Sequence, residues 1–121
     1  MDFKGKTAII TGAGRGLGLA YAQTLADRSA NVVISDLGTD RAGAGIDNSV
    51  ASNAARELQE HGKNVIAHCG DLSKESTCRE LVELTINSFG SLDILIHNAG
   101  WVGYQAIEIN RGRFYTSCHR R

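Results

Sequence analysis

The sequence predicts an α/β fold in which helices cover both faces of a parallel sheet. Four short apolar runs alternate along the chain with longer segments of helical periodicity. The runs are apolar throughout, which is typical of strands that are buried on both faces. A glycine-rich turn at residues 11–18 joins the first run to the first helical segment, and this arrangement suits a ligand at the carboxyl end of the sheet.

The order of the elements predicts one domain with a doubly wound, Rossmann-like sheet. Strands are expected at residues 6–11, 31–35, 64–68 and 92–96. Helices are expected at residues 15–28 and 49–61, and a third is expected from Ser73, its N-cap, to Gly90. Right-handed crossovers between parallel strands predict the strand order 3-2-1-4. The expected inward faces of the helices are Leu17, Ala20, Tyr21, Thr24 and Leu25; Val50, Ala54, Ala55 and Leu58; and Cys78, Leu81, Val82, Thr85 and Phe89.

Composition narrows the class of protein. The 121 residues are 42% hydrophobic and 21% charged, as in ordinary globular domains. No apolar run approaches the roughly 18 residues of a membrane span, so no membrane partner is expected. The N-terminus lacks the apolar core of a secretory signal, so a cytoplasmic location is expected. Cys69, Cys78 and Cys118 lack metal-ligand spacing and are expected to be reduced thiols, so no metal site is predicted.

Positive charge is concentrated at the C-terminal end of the chain. The formal net charge is zero, but residues 111–121 carry four arginines and no acidic residue. A basic tail can bind nucleic acid. Four arginines without a regular pattern are more often a solvated terminus, so a nucleic-acid partner is not expected.

The glycine-rich turn is the first candidate binding site. A strand, a glycine turn and a helix N-terminus in that order form a cradle for a pyrophosphate, because backbone N–H groups and the helix dipole both favour negative charge. Glycine permits the tight turn and lets the backbone approach the ligand. The predicted cradle comprises Gly12, Arg15, Gly16, Leu17 and Gly18.

Two charged residues bear on which dinucleotide this turn would bind. Asp36 ends the second strand, where a carboxylate can accept hydrogen bonds from the adenosine ribose and repels a 2′-phosphate. Arg15 has the opposite effect, because a guanidinium in the turn could bind a 2′-phosphate. Asp36 reaches the ribose more directly, so the predicted cofactor is NAD, with NADP the less favoured alternative.

Together the motifs resemble the short-chain dehydrogenase/reductase family over about residues 4–103. The resemblance is carried by Thr11-Gly12-x-x-x-Gly16-x-Gly18, by Asp71-Leu72 after the third strand, and by Asn98-Ala99-Gly100 after the fourth. His97 stands where the family usually has asparagine. The resemblance implies that Asp71 and Leu72 contact the adenine, that Asn98 braces the central strands, and that Ala99 and Gly100 lie beside the nicotinamide-side ribose. Without the other motifs, Asp71 would be interpreted as a turn residue ahead of the third helix.

The chain departs from this family where the chemistry is expected. Members resemble one another in a serine and a Tyr-x-x-x-Lys motif, whose tyrosine is the acid/base. None of the three tyrosines has a lysine four residues later; those positions hold Leu25, Glu108 and His119. The last lysine of the chain is Lys74. No catalytic residue is therefore predicted.

These features predict an incomplete NAD(P)-binding domain at residues 1–110 and a non-homologous basic tail at residues 111–121, as in a family member truncated after strand four. The resemblance implies that the intact parent transfers a hydride between the nicotinamide and a secondary alcohol or carbonyl carbon. The alternative is a catalytically inactive dinucleotide-binding fragment, or an interaction partner of a full-length relative. Strand four would be an apolar edge at Ile94, Leu95 and Ile96, which favours oligomerisation or aggregation.

The loop after the second strand bears on the class of substrate. The loop after the second strand begins Ser35-Asp36-Leu37-Gly38. It is similar to the N-D-L-G loop of the hydroxyacyl-CoA and hydroxysteroid dehydrogenase branch, with serine in place of asparagine. The resemblance implies an alcohol or ketone substrate with an acyl-CoA or steroid-like body.

Overall fold

The computed structural model describes residues 2–37 and 47–98, which form seven regular elements. The predicted alternation of strands and helices is present, and most boundaries lie within two residues of those expected. The elements are β1 (Thr7–Thr11), α1 (Gly16–Asp27), β2 (Asn31–Ser35), α2 (Asn48–Glu60), β3 (Val65–His68), α3 (Glu75–Phe89) and β4 (Ile94–His97).

The four described strands form one parallel sheet in the order β3-β2-β1-β4. Strand β1 is central, and its Ile9 is aligned with Val33 of β2 on one side and with Leu95 of β4 on the other. The predicted fold class and strand order are therefore confirmed. Because all strands run in one direction, the carboxyl ends of β1, β2 and β4 lie at the same edge of the sheet.

Helices cover both faces of this sheet. On one face, α1 and α2 pack against strand residues such as Ile10 and Ile34. On the other face, Leu81 of α3 packs with Ile9 and Val33. Successive residues of a strand point to opposite faces, so a strand buried on both faces is apolar at most of its positions. The continuous apolar runs of the sequence have this physical origin.

Most of the face predicted for α1 is wrong, and Leu25 is the residue of that face that packs against the core. The buried residues of this helix are Gly18, Ala22 and Ala26, four positions apart. Leu17 is 59% exposed and Tyr21 is 38% exposed. Small side chains allow the helix backbone to lie close to the sheet, whereas four of the five residues of the predicted face have larger side chains.

Helix α2 buries its expected Ala54, Ala55 and Leu58, whereas Val50 is only partly buried and Ala51 replaces it in the core. Helix α3 differs from the prediction at its first turn and on part of its surface. Its N-cap is Lys74 rather than Ser73. The Ser73 N–H instead donates to the Asp71 carboxylate at 3.0 Å, so Ser73 belongs to the turn before the helix.

Along α3, Leu81 and Thr85 are buried as expected, but Val82 is 43% exposed. Gly90 ends the helix, as predicted. Within the described part of the chain, no helix is both long and apolar enough to cross a bilayer.

Candidate functional site

The candidate site lies at the carboxyl edge of the sheet, where the glycine turn leaves β1. Gly12 has a φ of +63°, a left-handed conformation that costs glycine little and other residues more. Its N–H donates to the Ser35 carbonyl oxygen of β2 at 2.8 Å. The turn is thus held against the end of the neighbouring strand.

Gly18 lets α1 approach the turn closely. A Cβ built on Gly18 would overlap the Gly12 carbonyl oxygen and would lie 2.7 Å from Asn98 Nδ2 and 2.9 Å from Ala13 Cα. No real side chain tolerates such distances. The structure therefore requires glycine at this position, as the motif predicted, because of helix–strand packing.

Asn98 connects β4 to the same turn. Its side-chain Nδ2 donates to the Gly12 carbonyl oxygen at 3.3 Å, and its backbone N–H donates to the Thr11 hydroxyl at 3.0 Å. The Thr11 hydroxyl also lies 3.1 Å from Nδ1 of His97. The structure thus brings Asn98 and the glycine turn together. Ala99 and Gly100 lie outside the described residues.

Asp36 lies directly beside the glycine turn. Its Oδ2 accepts a hydrogen bond from the Gly14 N–H at 2.7 Å, and its own N–H donates to the His68 carbonyl oxygen at 3.0 Å. A carboxylate offers about four lone-pair directions, so this geometry is compatible with further donors such as ribose hydroxyls. Motif spacing indicated Asp36 but did not indicate Gly14 as its partner.

Helix α1 begins in the glycine turn. Arg15 is the N-cap residue, no capping hydrogen bond from its side chain is present, and the first turn carries no acidic residue. Leu17 in that turn is exposed. The positive end of the helix dipole is therefore not neutralised by a carboxylate of its own first turn, which favours an anionic group there.

Asp71 and Leu72 lie in the turn between β3 and α3. The Asp71 carboxylate accepts the Ser73 N–H, and its carbonyl oxygen accepts the Lys74 N–H at 3.1 Å. Leu72 packs against the Leu81 side of the core. These contacts match the role of a turn residue, which the local sequence suggests for Asp71. A contact of Asp71 with adenine stays a prediction.

His68, which the sequence analysis did not single out, is buried next to this edge. Its Nδ1 is 3.1 Å from the Ser35 hydroxyl, and its Nε2 is 3.6 Å from a carboxylate oxygen of Glu80. The second distance suits an ion pair but exceeds hydrogen-bond length, so among the described residues Nε2 has no hydrogen-bond partner. Burial lowers the pKa of His68, and the Glu80 carboxylate opposes this in part. The β-branched run around His68 gave no signal beyond strand formation.

Comparison with protein families classifies the chain. The family described as short chain dehydrogenase matches residues 6–119, which is most of the sequence. The chain belongs to the short-chain dehydrogenase family. The family predicted from the three motifs is thereby confirmed. The match continues past residue 110, and the domain boundary placed there stays a prediction.

Similarity within the family extends to sequence and structure. Over 100 residues the chain is 37% identical to peroxisomal multifunctional enzyme A of Dictyostelium discoideum, covering 83% of the chain and 22% of that protein. The hydroxysteroid dehydrogenase structure from Escherichia coli has a TM-score of 0.79 at 32% identity, covering 96% of this chain and 47% of that one. A short chain dehydrogenase/reductase from Burkholderia phymatum, solved in complex with NAD, has a TM-score of 0.78 at 26% identity, covering 99% and 41%. The chain thus spans less than half the length of each.

Proposed function

We propose that this chain binds a nicotinamide dinucleotide, with NAD preferred over NADP, as the cofactor-binding part of a dehydrogenase. Family membership supports the cofactor class. The observation that carries the proposal is the Asp36 carboxylate, held 2.7 Å from the Gly14 N–H where the glycine turn meets β2. A carboxylate at this position accepts ribose hydroxyls and repels a 2′-phosphate.

The residues at the edge fit the shape and charge of such a ligand. The close approach at Gly18 leaves the N-terminal turn of α1 directly beside the turn that follows β1. Arg15, Gly16, Leu17 and Gly18 would hold the pyrophosphate through backbone N–H groups, and Gly12 would shape the turn that lets the ligand approach. Asn98, Ala99 and Gly100 would lie toward the nicotinamide, and Asp71 with Leu72 toward the adenine. A bound nicotinamide would supply the hydride acceptor or donor.

Calorimetric titration of the 121-residue chain with NAD and NADP tests this proposal. We expect NAD to bind more tightly than NADP. Asp36→Ala is expected to narrow that preference, because it removes both the ribose acceptor and the charge that repels the phosphate. Asp27→Ala is the matched control, since Asp27 ends α1 at the opposite end from the glycine turn. Binding of neither dinucleotide would refute the proposal, and equal or tighter binding of NADP would refute the NAD preference.

For the whole protein we propose hydride transfer between the nicotinamide and a secondary alcohol or ketone carbon. Similarity to a hydroxysteroid dehydrogenase favours a substrate with a steroid-like body, and an acyl-CoA substrate is the alternative that the loop after β2 suggests. An oxidation assay with hydroxysteroids and 3-hydroxyacyl-CoA on a longer protein that contains this sequence distinguishes the two. Failure to oxidise either substrate class would refute the assignment.

A second candidate function is association through β4 without catalysis. Among the described strands, β4 pairs with β1 alone, and Leu95 on it is 63% exposed, whereas Ile94 and Ile96 are partly buried. An apolar edge strand favours pairing with another chain. Sedimentation of the 121-residue chain tests this, because self-association that Leu95→Lys weakens would support it and a stable monomer would refute it.

We also propose a cellular location for the protein. We place it in the cytoplasm, as expected from the sequence, although the Dictyostelium relative is named as peroxisomal. A fluorescent fusion imaged with a peroxisomal marker distinguishes the two compartments.

A further inference from the structure

The first turn of α2 lies against the glycine turn and the end of β2. The Asp47 N–H donates to the Leu37 carbonyl oxygen at 3.1 Å, so Asp47 is held beside the residue that follows Asp36. The Val50 side chain occupies the space above Gly14 that a Cβ there would need. Since the Gly14 N–H binds the Asp36 carboxylate, α2 forms one wall around that carboxylate.

Asp47 has a fixed carboxylate at this wall. It is the N-cap of α2, and its Oδ1 accepts the Ser49 N–H at 2.9 Å together with the Ser49 hydroxyl. These two hydrogen bonds, the hydroxyl first, lower the pKa of Asp47, and the positive charge of Arg15 lowers it further. Asp47 is therefore ionised at neutral pH, and its orientation is set by the helix cap.

The charges of Arg15, Asp36 and Asp47 act on one small region. Burial raises the pKa of the Cys69 thiol, and the charges of Asp36 and Asp47 both raise it further. The charges of Arg15, Asp36 and Asp47 are thus all felt near the carboxyl end of β2, and Asp47 adds a negative charge there.

We propose that Asp47 is a specificity-determining residue that disfavours NADP. It adds a second negative charge beside Asp36, and it offsets the positive charge of Arg15 that would otherwise attract a 2′-phosphate. The proposal rests on the dinucleotide function proposed above. It also explains how an arginine in the glycine turn is compatible with a preference for NAD.

The expected size of the effect follows from the charges involved. A 2′-phosphate carries close to two negative charges at neutral pH, so one carboxylate within a nanometre changes its relative affinity by on the order of three- to tenfold at low ionic strength. The Debye length is about 8 Å at physiological salt, so the effect should shrink there.

Asp47→Asn is the sharpest test, because asparagine is as good an N-cap as aspartate and keeps a side-chain oxygen for the Ser49 N–H. Calorimetry on the full 121-residue chain, at 20 mM and 150 mM salt, gives the ratio of the NADP and NAD dissociation constants. We expect Asp47→Asn to shift this ratio toward NADP by about three- to tenfold at the lower salt and less at the higher. Adding Arg15→Gln to this variant should remove most of the shift.

Asp27→Asn is the matched control, since it removes the same charge at the far end of α1 and should leave the ratio unchanged. An unchanged ratio in Asp47→Asn, with NAD still bound, would overturn the role of Asp47. An equally large shift of the ratio in Asp27→Asn would show that the effect does not depend on the position of Asp47. A full shift of the ratio in the variant that combines Asp47→Asn with Arg15→Gln would overturn the role assigned to Arg15. If the wild-type chain binds neither dinucleotide, the proposed function itself fails and this inference fails with it.

Discussion

Replacement of Gly18 by alanine should destabilise the fold and the candidate site together. The added methyl group would overlap the Gly12 carbonyl oxygen and would lie 2.9 Å from Ala13 Cα, and these are backbone atoms that cannot rotate away. Overpacking of this kind costs about 1–3 kcal/mol. Displacement of Asn98 from Gly12 would add about 0.5–1.5 kcal/mol for the lost hydrogen bond. Alanine regains up to about 1 kcal/mol of helix propensity, so the expected net loss is about 0.5–4.5 kcal/mol.

Urea unfolding followed by circular dichroism measures this loss, and calorimetric titration with NAD measures the effect on the site. Gly62→Ala is the comparison, because Gly62 has a φ of +77° and a Cβ there meets nothing within 4 Å. That variant carries backbone strain without a clash and should retain NAD binding, whereas Gly18→Ala should weaken it at least tenfold. Adding Asn98→Ala should not rescue Gly18→Ala, because the overlap with Gly12 remains. Wild-type stability of Gly18→Ala, or full rescue by Asn98→Ala, would refute this account of the packing.

Two further predictions concern the pH dependence of stability. Burial holds the pKa of His68 below its ordinary value of 6.5, so the neutral form stabilises the fold above about pH 6.5 and this contribution is lost as the pH falls through the folded-state pKa. The thermal unfolding midpoint should therefore fall when the pH is lowered from 7 to 5. His68→Gln should make this fall smaller, whereas His61→Gln, at an exposed position, should not. The Thr7 N–H at 2.9 Å, and then the Ser91 hydroxyl, hold the pKa of Asp93 below 3.8. Asp93→Ala should lower the thermal midpoint at pH 7. This difference should shrink as the pH falls below 3.8 toward the lower folded-state pKa, because the unfolded carboxyl is protonated first. A constant difference would contradict the hydrogen-bond explanation.

The strands show how far local sequence determines this fold. Residues 31–35 are a β-branched run that ends at a polar residue, and β2 occupies that range as predicted. Strand β4 was expected to begin at Leu92 but begins at Ile94. Leu92 packs into the Leu81 side of the core before the strand starts, and Asp93 bonds to Thr7 of β1. Apolar character predicts burial at these positions, but only the partner strand determines where the ladder begins.

The residues of the candidate site likewise include some that local sequence predicts and some that it does not. Gly18 and Asp36 were predictable because motif spacing places them at a strand end and a helix start. Their partners were not predictable, because the packing of Val50 over Gly14 depends on how α2 docks on the sheet. The N-cap role of Asp47 was also missed, because the helix was expected to begin at Ser49 after a loop. Contacts between distant segments carry the part of the site that local patterns do not encode.

The departure of His97 from the family's usual asparagine has a simple structural explanation. The Thr11 hydroxyl accepts the Asn98 N–H at 3.0 Å, and a hydroxyl that accepts one hydrogen bond can also donate one. Nδ1 of His97 lies 3.1 Å away and accepts that proton when the imidazole is neutral with its hydrogen on Nε2. An asparagine side-chain oxygen can accept the same proton. Histidine at this position thus keeps a hydrogen-bonding nitrogen beside the Thr11 hydroxyl, in the link that joins β4 to the turn where the dinucleotide is proposed to bind.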